Sequence, residues 1–253
     1  SEGDSQGPAI SWKGIDENLY YFIGKDKNYQ DVSGCGNTIA ANRGLVRKLI
    51  IESLKCWASE FGVDGFRFDL GIALSRGENL SPLENPPIFE DIECEPELID
   101  IKFISEPWDC GGLYKLGDFP SKNTFTWNGH FRDDLRRFWK GDKDTAWNMS
   151  DKIKGSPSIY KEDNIFPKSI NFITSHDGFT LKDLVTFNRK HNFANREQNR
   201  DGDNHNNSWN HGTEGPTTNL LINDLRKRQQ KNLILSLLIS KGVPMILMGD
   251  EIG

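Results

Sequence analysis

The chain has 253 residues, 36% of them hydrophobic and 27% charged, which is ordinary globular composition and leaves disorder and fibrous repeats aside. Its formal net charge of -6 argues against a nucleic-acid or anionic-membrane partner, both of which draw on basic surfaces, and a neutral substrate fits better. The longest apolar stretch, residues 233–239, is far too short to span a bilayer.

Residues 1–43 are rich in Gly, Asn, Asp and Ser and are expected to form a long loop. Over residues 45–61, Leu45, Leu49, Ile50, Leu54, Trp57 and Phe61 recur at helical spacing, predicting a helix with one apolar stripe, ended by Gly62. Residues 63–69 predict a strand with Asp69 at its exit. A helix closing over residues 95–100 is expected next, then a strand over residues 101–106 that ends in Glu106. Another strand is expected near residues 124–128, an amphipathic helix over 131–140, and a strand over 169–175 that runs into His176, Asp177 and Gly178. After a polar loop, a helix over 225–240 precedes a last strand opened by Gly242, Val243 and Pro244.

Strands alternating with helices at this spacing predict βα units around a parallel sheet. Asp69 to Glu106 is 37 positions, about one such unit, and Glu106 to Asp177 is 71, about two. In a barrel of such units the chemistry lies where strands end, so three acids at three strand exits would meet at one mouth.

Each acid also has a plainer reading. Asp69 alone reads more readily as the cap of the helix that follows its strand than as a catalytic group. Arg67 lies two positions earlier, so strand alternation puts both side chains on one side, where a guanidinium keeps a nucleophilic carboxylate charged. The same pair also reads as a structural ion pair, and both readings stand at this point. Glu106 precedes Pro107, which favours extended backbone, and Trp108 offers an apolar wall of the kind that lets a carboxyl hold a proton. Alone, Glu106 is a surface acid at a turn. His176, Asp177 and Gly178 read as a turn.

Other constellations fail their tests. Residues 201–212 lack the glycine and glutamate that a calcium loop needs, and a solvated loop is expected there. The five histidines include no HExxH and the four cysteines, Cys35, Cys56, Cys94 and Cys110, no CxxC, so no metal site is expected. The cysteines are expected to be buried, reduced thiols. Neither GxGxxG nor GxxxxGK[ST] occurs, so no nucleotide and no other cofactor is implied.

VDGFRFD at 63–69, ISEPWD at 104–109 and FITSHDGFTL at 172–181 resemble three signature segments of the α-amylase superfamily, glycoside hydrolase family 13, in barrel order. SGCGNT at 33–38, WNGHFRDDLRRFW at 127–139 and DGDNHNNSWNHGTEGPT at 201–217 narrow the resemblance to isoamylase-type glycogen and starch debranching enzymes. The resemblance implies an α/β fold, a partial (β/α)8 TIM barrel with its later strands and helices only, without the first barrel strands or the C-terminal β-sandwich. Residues 1–253 would be one catalytic-domain fragment, an expectation that the start at Ser1 and the end at Gly253, just past an apolar run, also carries.

Carried over by position, the resemblance makes Asp69 the nucleophile, Glu106 the general acid and base, and Asp177 the third acid, with Arg67, His176 and Trp108 binding substrate. It implies hydrolysis of α-1,6 branch linkages in glycogen, starch or limit dextrin by a retaining double displacement, without metal or cofactor, in bacterial cytoplasm or, in a plant, plastid stroma. A non-catalytic glucan-binding subunit of isoamylase type is the alternative, and it predicts the loss of one of the three acids. Ser75, Arg76 and Gly77 stand where many α-amylases carry Lys-His, which suits a debranching enzyme. Arg196 and His211 depart from the Gly and Cys of many relatives.

Overall fold

In a computed structural model, which describes residues 3, 7–161 and 167–253, the chain divides into two compact units, Ser1–Trp127 and Asn128–Gly253. The paired strands are parallel, and helices separate all of them except Lys102–Ser105 and Thr124–Trp127, in keeping with the expected α/β class.

The first unit opens on a helix, α1 (Ser11–Tyr20), where a loop is expected. No apolar stripe announces it. Its backbone breaks at Asp16, and contacts from beyond it hold it: Tyr29 Oη donates to Glu17 Oε2 at 2.6 Å, and Arg43 Nη1 donates to the Asn18 and Leu19 carbonyls. Part of the expected loop, residues 1, 2 and 4–6, lies outside the described residues.

The helix α2 (Gly44–Ser59) has the expected periodicity, with Leu54 and Ile50 of the expected stripe on the core, but its inward face is rotated from that stripe. Val46, Ile51 and Leu54 are buried, whereas Leu45, Trp57 and Phe61 of the expected stripe are exposed, the two rings packing on each other 4.5 Å apart. Gly62 lies beyond the helix at φ +66°, a left-handed turn that glycine makes without strain.

β1 (Gly65–Phe68) is followed by α3 (Pro87–Cys94), β2 (Lys102–Ser105) and β3 (Thr124–Trp127). The helix before β2 therefore comes earlier than residues 95–100. Proline favours a first helical turn and disrupts an interior, so Pro87 starts α3, and Pro96 keeps the segment after it to a single 3-10 turn. The strands pair in parallel, Phe66 opposite Phe103, Phe68 opposite Ser105 and Ser105 opposite Thr126. Their helix-facing side packs a core of Ile51, Leu54, Ile88, Phe89, Leu98 and Phe103. All four cysteines fall in this unit, and all are exposed rather than buried.

The second unit begins at Asn128, whose side-chain oxygen accepts from the Phe131 amide and caps α4 (Gly129–Lys140). Its amide group donates to Ser156 and Ser169, tying the cap to the start of β4 (Ser169–Phe172). Between them lies α5 (Ala146–Ile153), a helix with no counterpart among the elements expected from the sequence. A short α6 (Leu181–Leu184) and a long α7 (Leu220–Ile239) lead to β5 (Val243–Met245), parallel to β4. α7 starts before residue 225 because Asn219 caps it, accepting from the Leu221 and Ile222 amides. Phe131, Leu135, Ile173, Leu181, Leu233 and Leu237 form this unit's core.

The polar loop before α7 is organised from within. Lys190 Nζ donates to the carbonyls of Arg200, Asp201 and Gly202, and buried Arg226 donates to those of Asn210, Thr213 and Gly215. Arg196 takes φ +63°, a left-handed conformation that glycine adopts without strain.

Candidate active site

Asp69 and Glu106 each follow directly on a strand, β1 and β2, and the pairing of Phe68 with Ser105 makes the two acids the next residues in register. Adjacent strands lie about 4.8 Å apart, so the two carboxyl groups issue from neighbouring exits. Arg67 and Asp69 share a side as strand alternation requires, with Arg67 Nη1 donating to Asp69 Oδ1 at 2.8 Å. The second arm of the same guanidinium, Nη2, donates to Glu106 Oε1. One cation thus bridges both acids.

The acids differ in surroundings. The Asp69 side chain is 73% exposed and Glu106 2%. Glu106 is also gripped by backbone: its amide donates to the Phe68 carbonyl, its Oε2 accepts from the Leu70 amide at 2.8 Å, and its carbonyl accepts from the Ile72 amide. Leu70 reaches that position in a left-handed conformation, φ +43°. Beneath the bridge, Arg67 Cζ lies 4.4 Å from the ring centroid of Trp127, the last residue of β3. Trp127 is not among the site residues expected from the sequence, although an aromatic residue at a neighbouring strand end was the available signal.

Trp108 is half-buried on the loop after Glu106, edge-on to Tyr114 with ring centroids 5.8 Å apart. Arg76 is a buried partner of Asp109.

His176 and Asp177 belong to the second unit, on the turn after β4. Both are exposed, with His176 Nε2 3.5 Å from Asp177 Oδ1. They line a cleft of about 440 Å³ together with Phe187, His191, Asn192 and Asp201. Buried Asp201 Oδ1 has no hydrogen-bond partner among the described residues.

No family model matches the chain. Along all of its length it is 44% identical to isoamylase 1, chloroplastic, of Oryza sativa subsp. japonica and 46% identical to isoamylase 3, chloroplastic, of the same plant. The chain is of the isoamylase type. It is also 44% identical over its whole length to the glycogen operon protein GlgX homolog of Mycobacterium tuberculosis. The isoamylase-type chain spans about a third of the length of these relatives, 34%, 33% and 35% respectively. Among solved structures it is similar to the pullulanase from Bacillus acidopullulyticus, with a TM-score of 0.62 and 23% identity over 92% of this chain and 26% of that one. The pullulanase of Anoxybacillus sp. LM18-11 complexed with maltotetraose gives a TM-score of 0.61 and 24% identity, over 92% of this chain and 30% of that one. At such identities the likeness is one of fold.

Proposed function

We propose that this isoamylase-type chain carries the catalytic carboxylates of a debranching glycoside hydrolase that cleaves α-1,6 branch linkages in glycogen, starch or limit dextrin. The observation that carries this reading is the bridge from Arg67 to both Asp69 and Glu106. A retaining glycosidase needs its two carboxyl groups about 5–5.5 Å apart, so that one attacks the carbon whose leaving oxygen the other protonates. Two acids at neighbouring strand exits, within reach of one guanidinium, suit that requirement.

In the proposed cycle, exposed Asp69 attacks the anomeric carbon as Glu106 gives its proton to the glycosidic oxygen, and the carbon–oxygen bond to the leaving chain breaks. A water molecule then gives a proton back to Glu106 and attacks the same carbon, releasing Asp69. Burial of Glu106 keeps the transferred proton from bulk water. Asp177 and His176 hold hydroxyls of the distorted sugar, and Trp108 offers its ring to the glucan. In this reading both units belong to one catalytic domain, part of a (β/α)8 barrel, working without metal or cofactor in bacterial cytoplasm or plastid stroma. Among the described residues no helix is long and apolar enough to cross a membrane.

The test is hydrolysis of branched glucan by the protein that carries this chain, followed by proton NMR of the newly released reducing ends. Initial release of the α-anomer is expected. Initial β-anomer would mean a single displacement, and absence of hydrolysis would leave a glucan-binding role.

A further inference from the structure

We propose that Arg76 and Asp109 are positioning residues that aim the Glu106 carboxyl at the glycosidic oxygen. This inference rests on the debranching reading and assigns a task to residues which that reading leaves idle.

The chain leaving β1 and the chain leaving β2 run side by side and are joined at three points. The Leu70 amide holds the Glu106 carboxylate, the Ile72 amide holds the Glu106 carbonyl, and Arg76 grips Asp109. The third joint is two-pronged: Arg76 Nε donates to Asp109 Oδ2 at 2.9 Å, and Nη2 reaches Oδ2 at 2.8 Å and Oδ1 at 3.1 Å. Asp109 Oδ1 also accepts from the Gly111 and Leu113 amides, so this carboxylate is the hub of the turn that follows Glu106. Arg76 Nη1 donates to the Leu80 carbonyl, which anchors the arginine from its other side.

The Asp109 side chain is 0% exposed and that of Arg76 9%. A pair taken this far out of water gains little net stability over a well-packed apolar pair, so its presence calls for a geometric explanation. Its position supplies one. Asp109 lies three residues from Glu106, with the rigid Pro107 between, so movement at Asp109 is passed along to the acid. The Pro107 carbonyl accepts from the Lys115 amide and the Cys110 amide donates to the Val32 carbonyl, which leaves the turn little freedom apart from the Arg76 joint. Misplacing a catalytic group by about 1 Å costs on the order of 100-fold in rate.

The experiment compares two substrates by kcat/KM, which reports the first displacement. Branched glucan has a poor leaving group and needs the proton of Glu106; α-maltotriosyl fluoride releases fluoride without one. Asp109→Asn is expected to lower kcat/KM on branched glucan by about 100-fold and on the fluoride by less than about 3-fold. Arg76→Lys keeps the charge and loses the two-pronged grip, so the same imbalance is expected at smaller size, and it serves if Asp109→Asn does not fold. Equal losses on both substrates, or no loss on either, would overturn the positioning role while leaving the debranching reading intact. An unmodified protein inactive on both substrates would overturn that reading, and this one with it.

Discussion

The guanidinium of Arg67 rests on the indole face of Trp127, with Cζ 4.4 Å from the ring centroid. Trp127 therefore supports the cation that bridges Asp69 and Glu106. A cation–π contact of this kind contributes about 0.5–2 kcal/mol, so Trp127→Leu is expected to lower kcat/KM on branched glucan roughly 3- to 30-fold. Arg67→Lys is expected to cost more than about 100-fold, since a single ammonium replaces a two-armed fork. Steady-state kinetics of both variants decides the order, and a larger loss from Trp127→Leu would contradict it.

Asp69→Asn and Glu106→Gln are both expected to abolish turnover, but with different effects on stability. The Asp69 carboxylate is largely exposed, and such an ion pair contributes about 0–1 kcal/mol, so the thermal midpoint should hardly move. Glu106 is buried against Arg67 and the Leu70 amide, and neutralising it takes away the buried counterpart of Arg67, leaving only exposed Asp69. A loss on the order of 3 kcal/mol is expected in urea titration.

Gly71 permits the close approach of the chain after β1 to β2. A Cβ there would stand 2.0 Å from Ser105 Oγ and 2.8 Å from Phe68 Cβ. Gly71→Ala is therefore expected to destabilise the first unit by about 1–3 kcal/mol or more, read as a lower urea midpoint, and to weaken the hold of the Leu70 amide on Glu106.

The parts of the site legible in the sequence obey local rules. Strand alternation put Arg67 beside Asp69, and the acids stand at their strand exits because a carboxylate ends each apolar run. The Glu106 arm of the Arg67 bridge, the Trp127 support and the pairing of Arg76 with Asp109 were not legible, because each joins positions more than 30 residues apart through strand register. The facing of α2 failed for another reason. Leu45, Trp57 and Phe61 fit an apolar stripe as well as Val46, Ile51 and Leu54 do, and periodicity alone does not choose between overlapping stripes. α1 was not legible because its stability comes from distant contacts rather than from its own pattern.

Glu214 predicts an acid-sensitive loop. Partial burial pushes its carboxyl up, but hydrogen bonds from His191, the Asn188 amide, Asn210 and the Arg189 amide outweigh this and bring it to about 2. A carboxyl lowered in the folded state stabilises fully above its ordinary value and ceases to do so as pH falls through the folded one. The difference in urea midpoint between the unmodified protein and Glu214→Gln is therefore expected to be constant above about pH 5 and to vanish as pH falls toward 2. A difference unchanged at pH 2 would contradict this.

The exposed cysteines all belong to the first unit, so thiol-directed labels divide the molecule into a reporting half and a silent half. A maleimide dye attached at Cys35, Cys56, Cys94 or Cys110 places its signal in the first unit, without engineered cysteines. The four sites are not equivalent. Partial burial, followed by the charges of Asp31 and Asp109, raises the Cys110 thiol above its ordinary range, so it labels more slowly than an unperturbed thiol. Because Cys110 adjoins Asp109, a label attached there stands beside the turn that follows Glu106.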